Sequence, residues 1–188
     1  MLVVVAGSHG VGKTTILKRC AGYKEMKSVV VGDLMLEEAE KIGFRGGKDK
    51  IRRMKPEQQV KLREAVFRRI SRLRGNYIID THFVVGSEGR YVQGLPYSVI
   101  RLLKNVGGLI CIDAPTKEII GRQVSDKSRK REIEEEMFVD AERTMNMSVS
   151  SYLSWYLDVP MYFIENRNGR LEESVRTFKN AVSALING

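Results

Sequence analysis

At 188 residues with 43% apolar side chains, the chain is long enough for one compact domain around a buried sheet, and no apolar run approaches the roughly 20 residues a membrane-spanning helix needs. The net charge of +9 raises the question of a polyanionic partner, and the excess is local: residues 41–74 carry thirteen Lys or Arg against three acids, Asp49, Glu57 and Glu64. Cys20 and Cys111 sit in apolar segments with no metal-ligand cluster around them and read as reduced core thiols.

In chain order, Leu2–Ala6 is a short apolar run that reads as a first strand; with no basic leader before it, it does not read as a signal peptide, and the expected compartment is the cytoplasm. A glycine-rich stretch and an apolar helix, Thr15–Cys20, follow. Ser28–Val31 reads as a second strand, after which Asp33 is placed to cap a helix through Leu34–Lys41. Pro56 suits a first helical turn, opening Glu57–Leu73, and Gly75 ends it. Tyr77–Asp80, Leu109–Ile112 and Met161–Glu165 are three more buried strands, continuous and apolar as expected when both faces of a parallel sheet are covered. Pro96 and Pro115 open two further helices, Ile133–Leu157 reads as one long helix, and Leu171–Leu185 closes the chain. Strand alternating with helix five times implies an α/β fold with a parallel sheet, as a single domain over 1–188.

The chemistry enters at Gly7-Ser8-His9-Gly10-Val11-Gly12-Lys13-Thr14, a full match to G-x-x-x-x-G-K-[ST] with a strand before it and a helix, beginning at Thr15, after it. Glycines let the backbone curl so that its N–H groups converge on phosphate oxygens. Lys13 can reach the β- and γ-phosphates, and the Thr14 hydroxyl can ligate Mg²⁺. His9 is read as filling a variable loop position through its backbone N–H, the other reading being a base. Asp80, at the end of an apolar strand, is favoured as the Mg²⁺-associated acid over Asp113, which ends another strand and leads into a Pro-opened helix. His82, two residues on, either touches substrate or orders Asp80.

Gly7–Thr15, Gly32-Asp33-Leu34-Met35, Lys48–Met54, Asp80-Thr81-His82, Gly94-Leu95-Pro96 and Ser128-Arg129-Lys130-Arg131 appear in one order across nearly the whole chain. In that combination the sequence resembles the archaeal-type adenylate kinases, P-loop nucleoside monophosphate kinases. The resemblance implies a five-stranded parallel sheet in the order 2-3-1-4-5, a monophosphate-binding segment at about 33–74, a short lid at about 125–135, and the reaction ATP + AMP ⇌ 2 ADP. It also implies a homo-oligomer, often a trimer, with the long helix as its contact. Acceptor contacts fall on Asp33, Arg52, His82 and Arg90; Arg52 or Arg53 holds the acceptor phosphate, Arg52 matching the family position. Arg90 is named because the position four after His82, where the family carries a base, is Gly86 here.

Transfer to an acceptor that is already a phosphate anion needs no general base; the phosphates must be neutralised, aligned and kept from water. Lys13 and the arginines are therefore the informative residues. Arg122, Arg129 and Arg131 flank the polar stretch Ser125–Glu132 and are expected to close over the transferring group, Arg122 also being placed to stack on adenine. The basic amphipathic helix 57–74 reads as the solvated outside of the monophosphate-binding segment; its second reading is an RNA- or DNA-contacting face. The sequence therefore leaves three hypotheses: a nucleoside monophosphate kinase, a P-loop ATPase acting in nucleic-acid or ribosome assembly, and a kinase of a small non-nucleotide acceptor.

Overall fold

The computed structural model describes residues 1–51, 53–87, 90–125 and 135–187. Five strands form one parallel sheet: β1 (Leu2–Ala6), β2 (Lys27–Val30), β3 (Tyr77–Asp80), β6 (Val106–Asp113) and β7 (Met161–Glu165), in the spatial order β2-β3-β1-β6-β7. Counting only sheet strands this is 2-3-1-4-5, as the resemblance implied. Four of the five strands are followed by helical chain that packs back on the sheet: α1 (Lys13–Arg19) after β1, α2 (Val31–Lys41), α3 (Lys48–Ile51) and α4 (Pro56–Ile70) after β2, α6 (Thr116–Ser125) and α7 (Glu136–Leu157) after β6, α8 (Leu171–Asn187) after β7.

The strand period of two sorts the central strand between two cores. Val3 and Val5 pack with Ile16, Phe178 and Val182 on one face; Leu2, Val4 and Ala6 pack with Val66, Phe67 and Leu153 on the other. Burying each of these larger side chains is worth about 1.5–3 kcal/mol, which is why so short a strand holds the centre of the sheet. The carboxyl ends of β1 and β3 lie side by side, Val5 opposite Asp80, so the loops that leave them meet at one crevice.

Several elements differ from expectation. α2 starts at Val31, directly after β2, so Asp33 lies inside its first turn and caps nothing; an acid there still favours the helix through its dipole. β6 begins at Val106, three residues early, because parallel pairing to β1 carries Gly107 and Gly108 despite their low strand propensity. An antiparallel hairpin, β4 (Val84–Ser87) with β5 (Arg90–Gln93), was not anticipated; it stacks Tyr91 on Phe138 of α7 at 4.5 Å between ring centres. A short α5 (Tyr97–Ile100) follows Pro96. The expected lid at 125–135 lies almost entirely outside the described residues, as do Arg52, Arg129 and Arg131. Among the described residues no helix is long and apolar enough to cross a membrane.

Candidate active site

The loop between β1 and α1 is held open by its glycines. Gly12 has φ 90°, a left-handed conformation, and a Cβ there would run into the Asn166 side-chain amide. Its carbonyl accepts from the N–H groups of Thr15 and Ile16, which starts α1. Lys13 is only 6% exposed. Its Nζ donates to the Gly7 carbonyl at 2.7 Å and lies 2.9 Å from His82 Nε2, so the ammonium is folded back over the loop. His82 in turn stacks on His9, 4.1 Å between ring centres, and His9 Nδ1 lies 3.9 Å from the Glu142 carboxylate. His82 thus works on Lys13, a partner that the two sequence readings of it did not include.

The two strand-end acids have different surroundings. Asp113 is gripped by Arg143, with Nε 2.9 Å from Oδ1 and Nη2 2.7 Å from Oδ2, so its charge is neutralised within the protein. Asp80 is 8% exposed. Its Oδ1 is buried with no hydrogen-bond partner among the described residues. Desolvation pushes its carboxyl above the usual carboxylate range, against the pull of Lys13 and then Lys48. A buried carboxylate oxygen with no partner is a group prepared for a cation or its water shell.

Lys13, Thr14 and Asp80 open into a cavity of about 650 Å³ that also reaches Met35, Lys48, Gln59 and Arg63 on the α2–α4 side and Arg122 and Gln123 on α6. A phosphate-binding loop and a second, helical wall therefore face one space.

A family model described as an AAA domain matches residues 6–139. The adenylate kinase of Methanothermobacter thermautotrophicus is 30% identical over 183 residues, covering 96% of this chain and 98% of that one. That of Pyrococcus horikoshii is 32% identical, covering 93% and 91%. The chain belongs to the adenylate kinase family. It is thus a P-loop phosphotransferase, in agreement with the resemblance read from its motifs. Among solved structures, shikimate kinase from Bacteroides thetaiotaomicron superposes with a TM-score of 0.61 at 14% identity, covering 97% of this chain and 98% of that one. The shikimate kinase of Acinetobacter baumannii does so at 0.61 and 16%, covering 97% and 93%. At that identity the likeness is one of fold.

Around the kinase cavity the structure brings together most of the sequence-predicted residues. Ser8, His9, Gly10, Gly12, Lys13, Thr14, Thr15, Asp80, His82 and Arg122 all line it. Gly7 and Val11 act from behind: the Gly7 carbonyl holds Lys13, and Val11 is fully buried with its carbonyl accepting from Asn166 Nδ2 at 2.8 Å. Asp33 and Arg90 are not in the wall. Asp33 is exposed and pairs with Lys48, and Arg90 is exposed at the hairpin, paired across it with Ser87. Arg122 is tied rather than waving: Nη2 donates to the Asn166 carbonyl at 2.8 Å and to Asn168 Oδ1 at 2.7 Å, and Glu118 Oε2 lies 2.9 Å away. Desolvation lowers its pKa, opposed by Glu118.

Sequence reasoning missed the polar face of α7. Asn146, 1% exposed, accepts from the N–H groups of Phe83 and Val84 at 3.2 Å and donates to Ser8 Oγ at 3.3 Å, fastening the loop after β3 to the phosphate loop. Glu142, one turn earlier, accepts from Gly86 N–H at 2.9 Å. Gly94 belongs to the same fastening: its N–H donates to the Phe83 carbonyl at 2.7 Å, and a Cβ there would collide with the His82 carbonyl. The basic block on α4 also resolves into parts. Arg69 is paired with Glu37 and Glu38, at 3.0 and 2.6 Å, and Arg63 is buried.

Proposed function

We propose that the chain catalyses ATP + AMP ⇌ 2 ADP, moving the γ-phosphoryl group in line from ATP on the phosphate loop to AMP on the α2–α4 wall. The observation that carries the reading is the single cavity with Lys13 and Asp80 on one side and Met35, Lys48, Gln59 and Arg63 on the other. Two anionic reactants that meet in one space with cations on both walls need positioning and charge neutralisation more than covalent help.

Lys13 lies against the Gly7 carbonyl and His82 and is placed to swing its ammonium onto the β- and γ-phosphates. The His9–His82 stack and the Glu142 carboxylate behind it keep the lysine side of the loop ordered. Arg122, held by Glu118, Asn166 and Asn168, presents a flat cation beside the loop where the adenine and ribose of ATP would lie. Arg52 is assigned to the acceptor phosphate, and Arg129 and Arg131 to a lid over the transferring group that limits hydrolysis. Asp80, whose buried Oδ1 has no partner among the described residues, and Thr14 would hold Mg²⁺. That ion would neutralise charge on the β- and γ-phosphate oxygens.

The same reading assigns the protein to the cytoplasm, where adenine nucleotides are held and the buried thiols Cys20 and Cys111 stay reduced. It extends to a homo-oligomer, a trimer by family resemblance, through α7. Trp155 is 79% exposed there beside Tyr152 and Tyr156, apolar surface that a contact between copies would cover.

The test is a coupled assay of ADP formation with ATP and a panel of acceptors. AMP is expected to serve best and GMP, CMP and UMP poorly. Hydrolysis of ATP that RNA stimulates and AMP does not would overturn the proposal.

A further inference from the structure

The sequence counts Arg63 among the solvated charges of α4. It is instead 7% exposed, and it lines the cavity. Helical spacing explains the burial: Gln59, Leu62, Arg63, Val66, Phe67 and Ile70 form one face of α4, directed at the sheet.

No carboxylate partners this guanidinium among the described residues. Nη1 and Nη2 each reach Gln59 Oε1 at 3.4 Å, the weak end of hydrogen bonding, and Gln59 Nε2 donates to the Met54 carbonyl at 2.9 Å, which turns the amide oxygen toward Arg63. Burial alone pulls the Arg63 pKa down to about 10, so the group is still charged at neutral pH. A buried cation with five donors and one neutral amide beside it is an incomplete ion pair. Its missing partner is an anion, and the open side from which an anion can arrive is the cavity.

Two anions meet in that cavity under the reading above. The triphosphate belongs to the loop, where Lys13 and Thr14 stand. Arg63 comes from α4, with Gln59 beside it, and so belongs to the α2–α4 side of the cavity and not to the loop. Position 86, on the hairpin, has no room for a cation of its own. A Cβ on Gly86 would sit 2.5 Å from the Phe138 ring and 2.8 Å from Glu142 Oε2, leaving no room for a long side chain.

We propose that Arg63 binds the phosphate of the acceptor nucleotide, completing its own buried charge when AMP arrives. The proposal rests on the kinase reading and adds a residue to its acceptor site.

Calorimetry on the full chain with AMP, and with adenosine as the phosphate-free probe, separates this role from others, together with KM for AMP and for ATP. In Arg63→Gln the AMP Kd is expected to rise about 10- to 100-fold, the loss of charge-assisted hydrogen bonds, with adenosine binding and KM for ATP within twofold of wild type. Arg63→Lys keeps the buried charge but not the fork, and is expected to lose AMP affinity several-fold, again without effect on adenosine. Unchanged AMP affinity in both variants overturns the proposal. Equal losses for AMP and adenosine overturn it in favour of a base-reading role, and parallel losses for AMP and ATP with a fall in Tm overturn it in favour of a structural one. A wild-type chain that binds no AMP would sink the kinase reading and this inference with it. The other failures leave that reading standing.

Discussion

Asp80→Asn separates what the site needs from what the fold prefers. Asp80 is buried, its Oδ1 has no partner among the described residues, and its pKa is raised by desolvation more than Lys13 and Lys48 lower it. For an acid whose folded pKa lies above its unfolded value, the folded chain binds the extra proton. The ligand-free protein then carries a penalty that is full above the raised pKa, shrinks as pH falls through it, and is gone below the unfolded value near 3.8. Replacing the carboxylate with a neutral amide removes it. An unsatisfied buried polar group costs about 1–3 kcal/mol, and the amide keeps part of that cost, so the gain at pH 7 is about 1–2 kcal/mol. For a domain of this size that is about 2–8 °C in Tm. Differential scanning calorimetry of ligand-free wild type and variant from pH 4 to pH 8 should show the variant more stable at neutral pH, with the difference closing toward pH 4, while kcat falls about 100-fold or more. A variant less stable than wild type at every pH would refute the reasoning, because Asp80 would then be a structural acid.

Lys13→Ala should lower kcat at least about 100-fold with Tm within a few degrees of wild type, since its ammonium bonds the Gly7 carbonyl and His82 at the loop; normal turnover would remove its phosphate role. Arg143→Met should leave the Asp113 carboxylate uncompensated and cost about 2–3 kcal/mol, discounted from a fully buried pair because Arg143 is 19% exposed; adding Asp113→Asn should restore most of the Tm, and no recovery would show that the pair is not the cause. Asn146→Ala should leave the Phe83 and Val84 N–H groups unpaired, cost about 2–3 kcal/mol and lower Tm by about 4–12 °C in scanning calorimetry; a shift under 2 °C would mean that the two loops are held by something else.

The sheet was legible because its strands are short, continuous and rich in Val and Ile, and the phosphate loop because one spacing of glycines, lysine and threonine defines it. What escaped has two physical causes. The hairpin at 84–93 carries Gly86 and a polar turn, so its strand signal is weak alone and depends on packing against Phe138 and Glu142. The buried polar residues escaped because a sequence shows their polarity before their position on a helix face. Arg63 stands four residues after Gln59 and four before Phe67, on the core face of α4, and Glu142 and Asn146 share the buried face of α7. A polar side chain at a core-face position is a readable signal; among Lys61, Arg68 and Arg69 it was hidden by a surplus of charge around it. Arg90 was proposed to fill the gap at Gly86 by nearness in sequence, and its strand carries it to the exposed hairpin.

One cavity is expected to hold donor and acceptor nucleotide together. Titration with P¹,P⁵-di(adenosine) pentaphosphate, which joins the two halves, measures this directly. One molecule is expected to bind per chain, in competition with both ATP and AMP. Competition against ATP alone, with AMP binding undisturbed, would contradict it.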